Sequence, residues 1–408
     1  MEEAQHRSIE SGASWRAAWV TLGILSISFG SPLLVVVGMK PMQEAMGTER
    51  SLLALAGSLV WVGTGAGGVL MGWLADRIGV RVTVAIGACM IAGGLALSSL
   101  GSMWALYVGQ GVMIGLLGGG AVYAPLLIYV SRWFDRRRGT AIALISSGQY
   151  VAGVVWPSLF QQGIAGFGWQ AIMLGYAGIV LVVILPAILL LKPLPFVPPP
   201  PAPAAGARPD RVAGFHPNVA QALICIAAFC CCIPMAIPSA HIVAFCSDIG
   251  ITPTHGAAML SVMLACAFLA RQLWGALADR IGGLRTVMVG SMCQAVAIAC
   301  FLLTQDEAGL FAISAAFGFG FAGIIPAYSV AIRDLYPNAQ ASWRIPLVLF
   351  TGMSGMACGS WLAGLLYDRF GFYAPAFGLG VVFNAVNLVL ISFLVFRTTR
   401  GAWRAMAA

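Results

Sequence analysis

Charge is what this chain has least of. Only 9% of its 408 residues are Asp, Glu, Lys or Arg, against 60% hydrophobic, a balance that excludes an ordinary soluble globular protein and fits a polytopic membrane protein. Its 14 acidic residues are confined to tails, loops and the ends of apolar stretches, so no Asp or Glu stands within the hydrocarbon. Histidine is scarcer still. The four, at 6, 216, 241 and 255, form neither a metal set nor an activated-nucleophile arrangement, which argues against an enzyme and against any cofactor. The ten cysteines include Cys230, Cys231 and Cys232, yet all lie in apolar segments without paired ligand spacing and read as small hydrophobes. The first apolar stretch is too long for a signal-peptide core and no small-residue cleavage site follows it, so it is expected to remain as a helix.

What the chain has in quantity is apolar length. Twelve stretches can span a bilayer, at about 17–39, 52–74, 82–100, 103–130, 138–166, 168–191, 219–246, 255–278, 284–303, 308–332, 343–367 and 373–396. The expected fold class is an all-α membrane protein of twelve transmembrane helices, because open strands in lipid leave an edge unpaired. Basic residues alternate by loop. With the amino terminus inside, eighteen of the 22 Lys and Arg fall on one side and three, Lys40, Arg50 and Arg369, on the other. That asymmetry predicts an inner-membrane protein with both termini cytoplasmic, and it accounts for the net charge of +8 without nucleic acid. The cluster from Arg132 to Arg138 reads as part of this topology signal, with contact to acidic lipid heads as the alternative.

Residues 192–218 are a proline-rich cytoplasmic linker between two six-helix bundles, 17–191 and 219–396, flanked by tails at 1–16 and 397–408. A repeat supports the division. Gly72-Trp-Leu-Ala-Asp-Arg-Ile-Gly79 returns as Gly275-Ala-Leu-Ala-Asp-Arg-Ile-Gly282, at the cytoplasmic end of the second helix of each half. Asp76 and Asp279 can each face the positive end of a helix in the opposite half, with Arg77, Arg81, Arg280 and Arg285 holding the loops, so the six read as gate residues. A purely topogenic role is the plainer alternative.

The remaining cation is Arg271, inside the eighth stretch and eight residues from Asp279, hence roughly 12 Å deep in a slab about 30 Å thick. An intramembrane Arg at a cost of about 2.5 to 3.5 kcal/mol needs a partner. No intramembrane carboxylate of the chain is available, so the anion is expected to be the ligand, gripped by the planar guanidinium fork. Other residues can line a central cavity by depth alone: Ser28, Phe29, Tyr123, Gln149, Tyr150, Gln272, Tyr328 and Ser354. His241 is the intramembrane group that titrates near neutrality, either a proton relay or a neutral side chain hydrogen-bonded near the outer mouth.

The repeated Gly-x-Leu-Ala-Asp-Arg-x-Gly resembles the signature of the major facilitator superfamily, and the likeness covers essentially the whole chain. Within it, Ser131-Arg-Trp-Phe-Asp-Arg-Arg-Arg-Gly139, Ala240-His-Ile-Val-Ala-Phe-Cys-Ser-Asp-Ile-Gly250 and the segment from Arg271 to Gly282 look like the monocarboxylate-porter branch, which includes the oxalate/formate exchanger. The resemblance implies transport of small organic anions with the carboxylate on the helix 8 Arg. The chain departs from it at Ala267, where animal members carry an acidic residue used in proton coupling, and in helix 11, where Leu349–Gly355 lacks the exchanger's Lys. One buried cation favours a monoanion. The expectation is a monomeric carrier for a small monocarboxylate with proton symport; an organic anion exchanger and a transporter-derived sensor stay open.

Overall fold

Backbone amides in hydrocarbon find partners only within their own segment, so a chain this apolar has to fold as helices. The computed structural model describes residues 10–134, 137–192 and 211–406, and twelve of its helices are long and apolar enough to cross a membrane. They are α1 (Gly12–Val37), α2 (Arg50–Ile78), α3 (Val80–Ser98), α4 (Met103–Ser131), α5 (Gly139–Phe167), α6 (Trp169–Leu190), α7 (Pro217–Asp248), α8 (Pro253–Ile281), α9 (Gly283–Leu303), α10 (Glu307–Leu335), α11 (Trp343–Phe370) and α12 (Ala374–Thr399). The chain is a multi-pass membrane protein. An even number of crossings puts the start of α1 and the end of α12 on one face, the tail side; a short helix, Met39–Met46, links α1 to α2 on the far side. Most of the expected linker, 193–210, lies outside the described residues, as do residues 1–9, Asp135 and Arg136.

Buried apolar side chains form two clusters. One gathers Leu25, Val84, Leu126 and Ile184 from the first six helices, the other Ile224, Met263, Phe317 and Ile391 from the last six. Glycine sets the spacing where helices touch. A Cβ at Gly67 of α2 would stand 2.0 Å from the Leu116 carbonyl oxygen of α4, and one at Gly359 of α11 would stand 2.3 Å from that of Ile233 in α7, so only the bare backbone permits these approaches. Across the halves α2 meets α11 and α5 meets α8.

Four helices break stride. α1 is interrupted at Phe29, α5 at Ser147, α10 between Phe321 and Ile324, and Val108–Gly119 of α4 winds as a π-helix. The π segment is rich in glycine, which lacks side-chain preferences to hold the tighter α register, and such windings gather near functional sites.

Candidate substrate site

A central cavity lies between the halves, walled by α1, α2, α4 and α5 on one side and α7, α8, α10 and α11 on the other. It has room for water-sized molecules over about 170 Å³. Phe29, Tyr123, Gln149, Tyr150 and Arg271 line it. The break in α1 delivers Phe29 to the wall, where its ring meets Tyr123 edge-on at 5.5 Å between centroids. Arg271 stands over the Tyr150 ring at 5.2 Å, a cation–π contact that orients the guanidinium without consuming its donors. Its Nη1 is buried and has no hydrogen-bond partner, and among the described residues no carboxylate of the chain pairs with it.

Five sequence candidates sit elsewhere, and helix geometry explains each. Gln272 is exposed on the outer face of α8 between Arg271 and Leu273, itself 62% exposed, because one residue along a helix turns the side chain by about 100°. Ser354 faces off the cavity beside Met353, its hydroxyl donating to the Phe350 carbonyl at 2.9 Å. Tyr328 is buried inside the second half, donating to Asn387 Oδ1 at 3.0 Å, and Asn387 donates on to Ser291 at 2.8 Å. Ser28 donates to the Ile24 carbonyl at 2.8 Å and borders a smaller adjoining pocket. His241 is fully buried one residue beyond the cavity-lining Ala240.

The bonds of His241 fix its tautomer. Nε2 lies 2.8 Å from the Ser360 carbonyl and Nδ1 3.0 Å from the Tyr373 hydroxyl. A carbonyl only accepts, so Nε2 carries hydrogen. Arg50 Nη1 donates to the Tyr373 oxygen at 3.0 Å, which leaves the tyrosine hydrogen free to go to Nδ1. The set is satisfied with a neutral imidazole.

Arg50 ties this set to the far side. Counted at the sequence level as an outer loop charge, it is only 2% exposed. Its guanidinium pairs with Asp248 at the end of α7, donates to Gln43 at 3.0 Å, and lies 3.7 Å over the Tyr367 ring. Asp368 of α11 accepts from the backbone amides of Arg50 at 2.9 Å and Ser51 at 2.7 Å, capping the positive start of α2. Lys40 adds a 3.5 Å pair to Asp248. Both ion pairs join one half to the other.

The tail-side motifs are arranged differently. Asp76 pairs at 3.5 Å with Arg132 of its own half, both more than half exposed. Arg77 lies on the Trp73 ring at 3.9 Å, Arg81 donates to the Leu191 carbonyl, and Arg285 reaches Thr399 at 3.5 Å. Asp279 and Arg280 are exposed. Among the described residues no ion pair joins the halves here.

Beyond the candidates, the cavity takes Trp61 and Thr64 from α2, Ser239 from α7, and Met353, Met356 and Ser360 from α11. The signal for them was spacing. Gly57, Trp61 and Thr64 recur at helical intervals, as do Met353, Met356 and Ser360. The Arg50 cluster offered none, since apart from Gln43 and Lys40 its members lie some two to three hundred residues away.

The sequence model described as Major Facilitator Superfamily matches residues 11–238 and 224–406. The chain is 26% identical over 325 residues to the MFS-type transporter pynF of Aspergillus niger, covering 78% of this chain and 73% of that protein. It is 27% identical over 334 residues to monocarboxylate transporter 13 of Bos taurus, covering 79% and 76%. Among solved structures it superposes on a bacterial homolog of the human lysosomal transporter Spinster, in an inward-facing and occupied conformation, with a TM-score of 0.70 at 15% identity, over 94% of this chain and 96% of that one.

Proposed function

The chain belongs to the Major Facilitator Superfamily and is a membrane transporter of that type; on that premise we propose that it carries a small monocarboxylate across the membrane by alternating access, with a proton. The single observation behind the substrate is the unpartnered buried Nη1 of Arg271 in the cavity wall. A buried donor without a partner costs about 1–3 kcal/mol. A carboxylate removes that cost and forms two parallel charge-assisted bonds with the fork, while Tyr123, Gln149 and Tyr150 supply the polar surroundings. The name of the bovine relative, monocarboxylate transporter 13, points the same way.

On this reading Arg50, Asp248 and Asp368 close the far side in the present state, and substrate reaches Arg271 from the tail side. Because basic residues concentrate there, the tail side is cytoplasmic, the membrane is the inner membrane, and the state is inward-facing. Rocking the halves about the cavity opens the Arg50 cluster and brings the Asp76 and Asp279 motifs against the opposite half. His241 couples a proton to this motion, because it bridges Ser360 in the cavity wall to Tyr373 in the seal. Protonating Nδ1 sets an N–H against the tyrosine O–H, forces that hydroxyl to turn, and loosens the seal. Counterflow in proteoliposomes tests the reading: a labelled monocarboxylate should exchange against unlabelled acid, faster at lower pH for net uptake. If no member of a panel of monocarboxylates exchanges, the proposal fails.

A further inference from the structure

Two of the helix breaks are held in the same way. In an unbroken α-helix each carbonyl accepts from the amide four residues on, so a break leaves carbonyls in need of other donors. Ahead of the break in α1, the Ser26 carbonyl accepts from the Trp156 indole of α5 at 3.2 Å and the Ile27 carbonyl from the Tyr176 hydroxyl of α6 at 2.6 Å. Ahead of the break in α10, the Phe319 carbonyl accepts from the Trp274 indole of α8 at 2.7 Å. A glycine lies against the donor each time. A Cβ at Gly30 would overlap the Tyr176 hydroxyl, and one at Gly323 the Trp274 side chain. At the offset that superposes the two octets Trp156 falls on Gly359 and Trp274 on Met71, so the pair is not an echo of the repeat.

Each break also sets a phenylalanine in the cavity wall. Phe29 meets Tyr123 edge-on at 5.5 Å between centroids and Phe321 meets Tyr150 edge-on at 6.3 Å, and all four line the cavity with Arg271. Arg271 stands over the same Tyr150 ring. The helices that carry the two indoles, α5 and α8, are a pair that touch across the halves, where Gly153 of α5 lies against Leu264 of α8. Trp274 follows Arg271 by about one turn, and Trp156 follows Gln149 by about two. A shift of α5 on α8 therefore acts on both breaks through the indoles.

Resting on the transport reading for the ligand alone, we propose that Trp274, and Trp156 together with Tyr176, are positioning residues for substrate. Their donors hold α10 and α1 broken, and the breaks keep the Phe321 and Phe29 rings in the wall they share with Arg271. When the donors let go, the freed carbonyls return to the amides four residues on, the helix straightens, and its ring leaves the wall.

Fluorine NMR on the full chain in lipid nanodiscs reads the rings directly, with 4-fluorophenylalanine in place of Phe29 or Phe321. Trp274→Phe keeps an aromatic side chain and loses the N–H. It should shift the Phe321 signal in the direction that Tyr150→Leu shifts it and leave the Phe29 signal unmoved. The α1 break has two donors, so Trp156→Phe is combined with Tyr176→Phe; the pair should shift the Phe29 signal as Tyr123→Leu does and leave that of Phe321 unmoved. Signals that stay in place would overturn the proposal, and so would signals that move together, because general loosening is not positioning. Where a variant melts well below the wild type, 3-benzothienylalanine replaces the tryptophan instead, matching its size without the N–H. With the acid that counterflow identifies, KM should rise at least about fivefold in both variants at unchanged melting temperature, and an unchanged KM beside shifted signals would overturn the rings' part in the site. If no acid exchanges, the monocarboxylate reading falls and the fluorine signals decide alone.

Discussion

The two mouths of the central cavity are built from the same residue types to opposite effect. On the far side Arg50, Asp248, Lys40 and Asp368 are drawn together across the halves, with Arg50 almost wholly buried. On the tail side the repeated Asp-Arg motifs stay within their own halves and face solvent. Burial decides what each is worth. Exposed pairs contribute about 0–1 kcal/mol, whereas removing one partner of a buried pair costs about 3–5 kcal/mol because the other charge is stranded. On the proposed reading, the far side is the closed gate of this state and the tail-side motifs close the opposite one.

The largest effect should follow from breaking the far side. In Arg50→Ala, Asp248 loses its buried partner and Tyr373 its donor, so the equilibrium should swing toward a far-side-open form. A cysteine placed at Ser360, in the cavity wall, should then react with an impermeant maleimide from the far side at least tenfold faster, measured against the parent without it. Unchanged labelling would show that apolar packing of α2 on α11 closes this mouth unaided.

A middle-sized effect belongs to the link between cavity and gate. His241→Gln keeps a donor toward the Ser360 carbonyl but loses the titrating nitrogen, so the rise of uptake as pH falls should flatten while counterflow persists. An unaltered pH profile would return His241 to structural hydrogen bonding, with the proton entering as the neutral acid.

The smallest effect on stability is expected on the tail side. Asp76→Asn and Asp279→Asn should each change unfolding free energy by about 0–1 kcal/mol, yet slow transport severalfold if the motifs close the opposite state. Wild-type transport by the double variant would leave them a purely topogenic role.

The same contrast marks what was legible beforehand. Helix count and the repeat were legible because hydropathy and the Gly72–Gly79 and Gly275–Gly282 octets are local. Depth was legible too, and it brought Arg271, Tyr123, Gln149, Tyr150 and Phe29 to the cavity. Azimuth was not. In a bundle where lipid-facing and core-facing sides are equally apolar, nothing local tells the cavity-facing Arg271 from the lipid-facing Gln272, or Met353 from Ser354. The Arg50 cluster was hidden by distance in sequence, and the π-helical turn of α4 by glycines that suit several windings. Tyr328 was misplaced for a further reason: Asn384 and Asn387, with which it and Ser291 form a buried network, lie in the last helix.

The central claim is that Arg271 grips a carboxylate, and one paired measurement addresses it. Arg271→Lys and Arg271→Ala are reconstituted beside the wild type, and monocarboxylate counterflow and melting temperature are recorded on the same preparations. Lysine keeps the charge and loses the planar fork, so both variants should lose transport by at least about tenfold while melting like the wild type, since the guanidinium holds no hydrogen bond at Nη1 to forfeit. Wild-type counterflow by a well-folded Arg271→Ala protein would contradict the account.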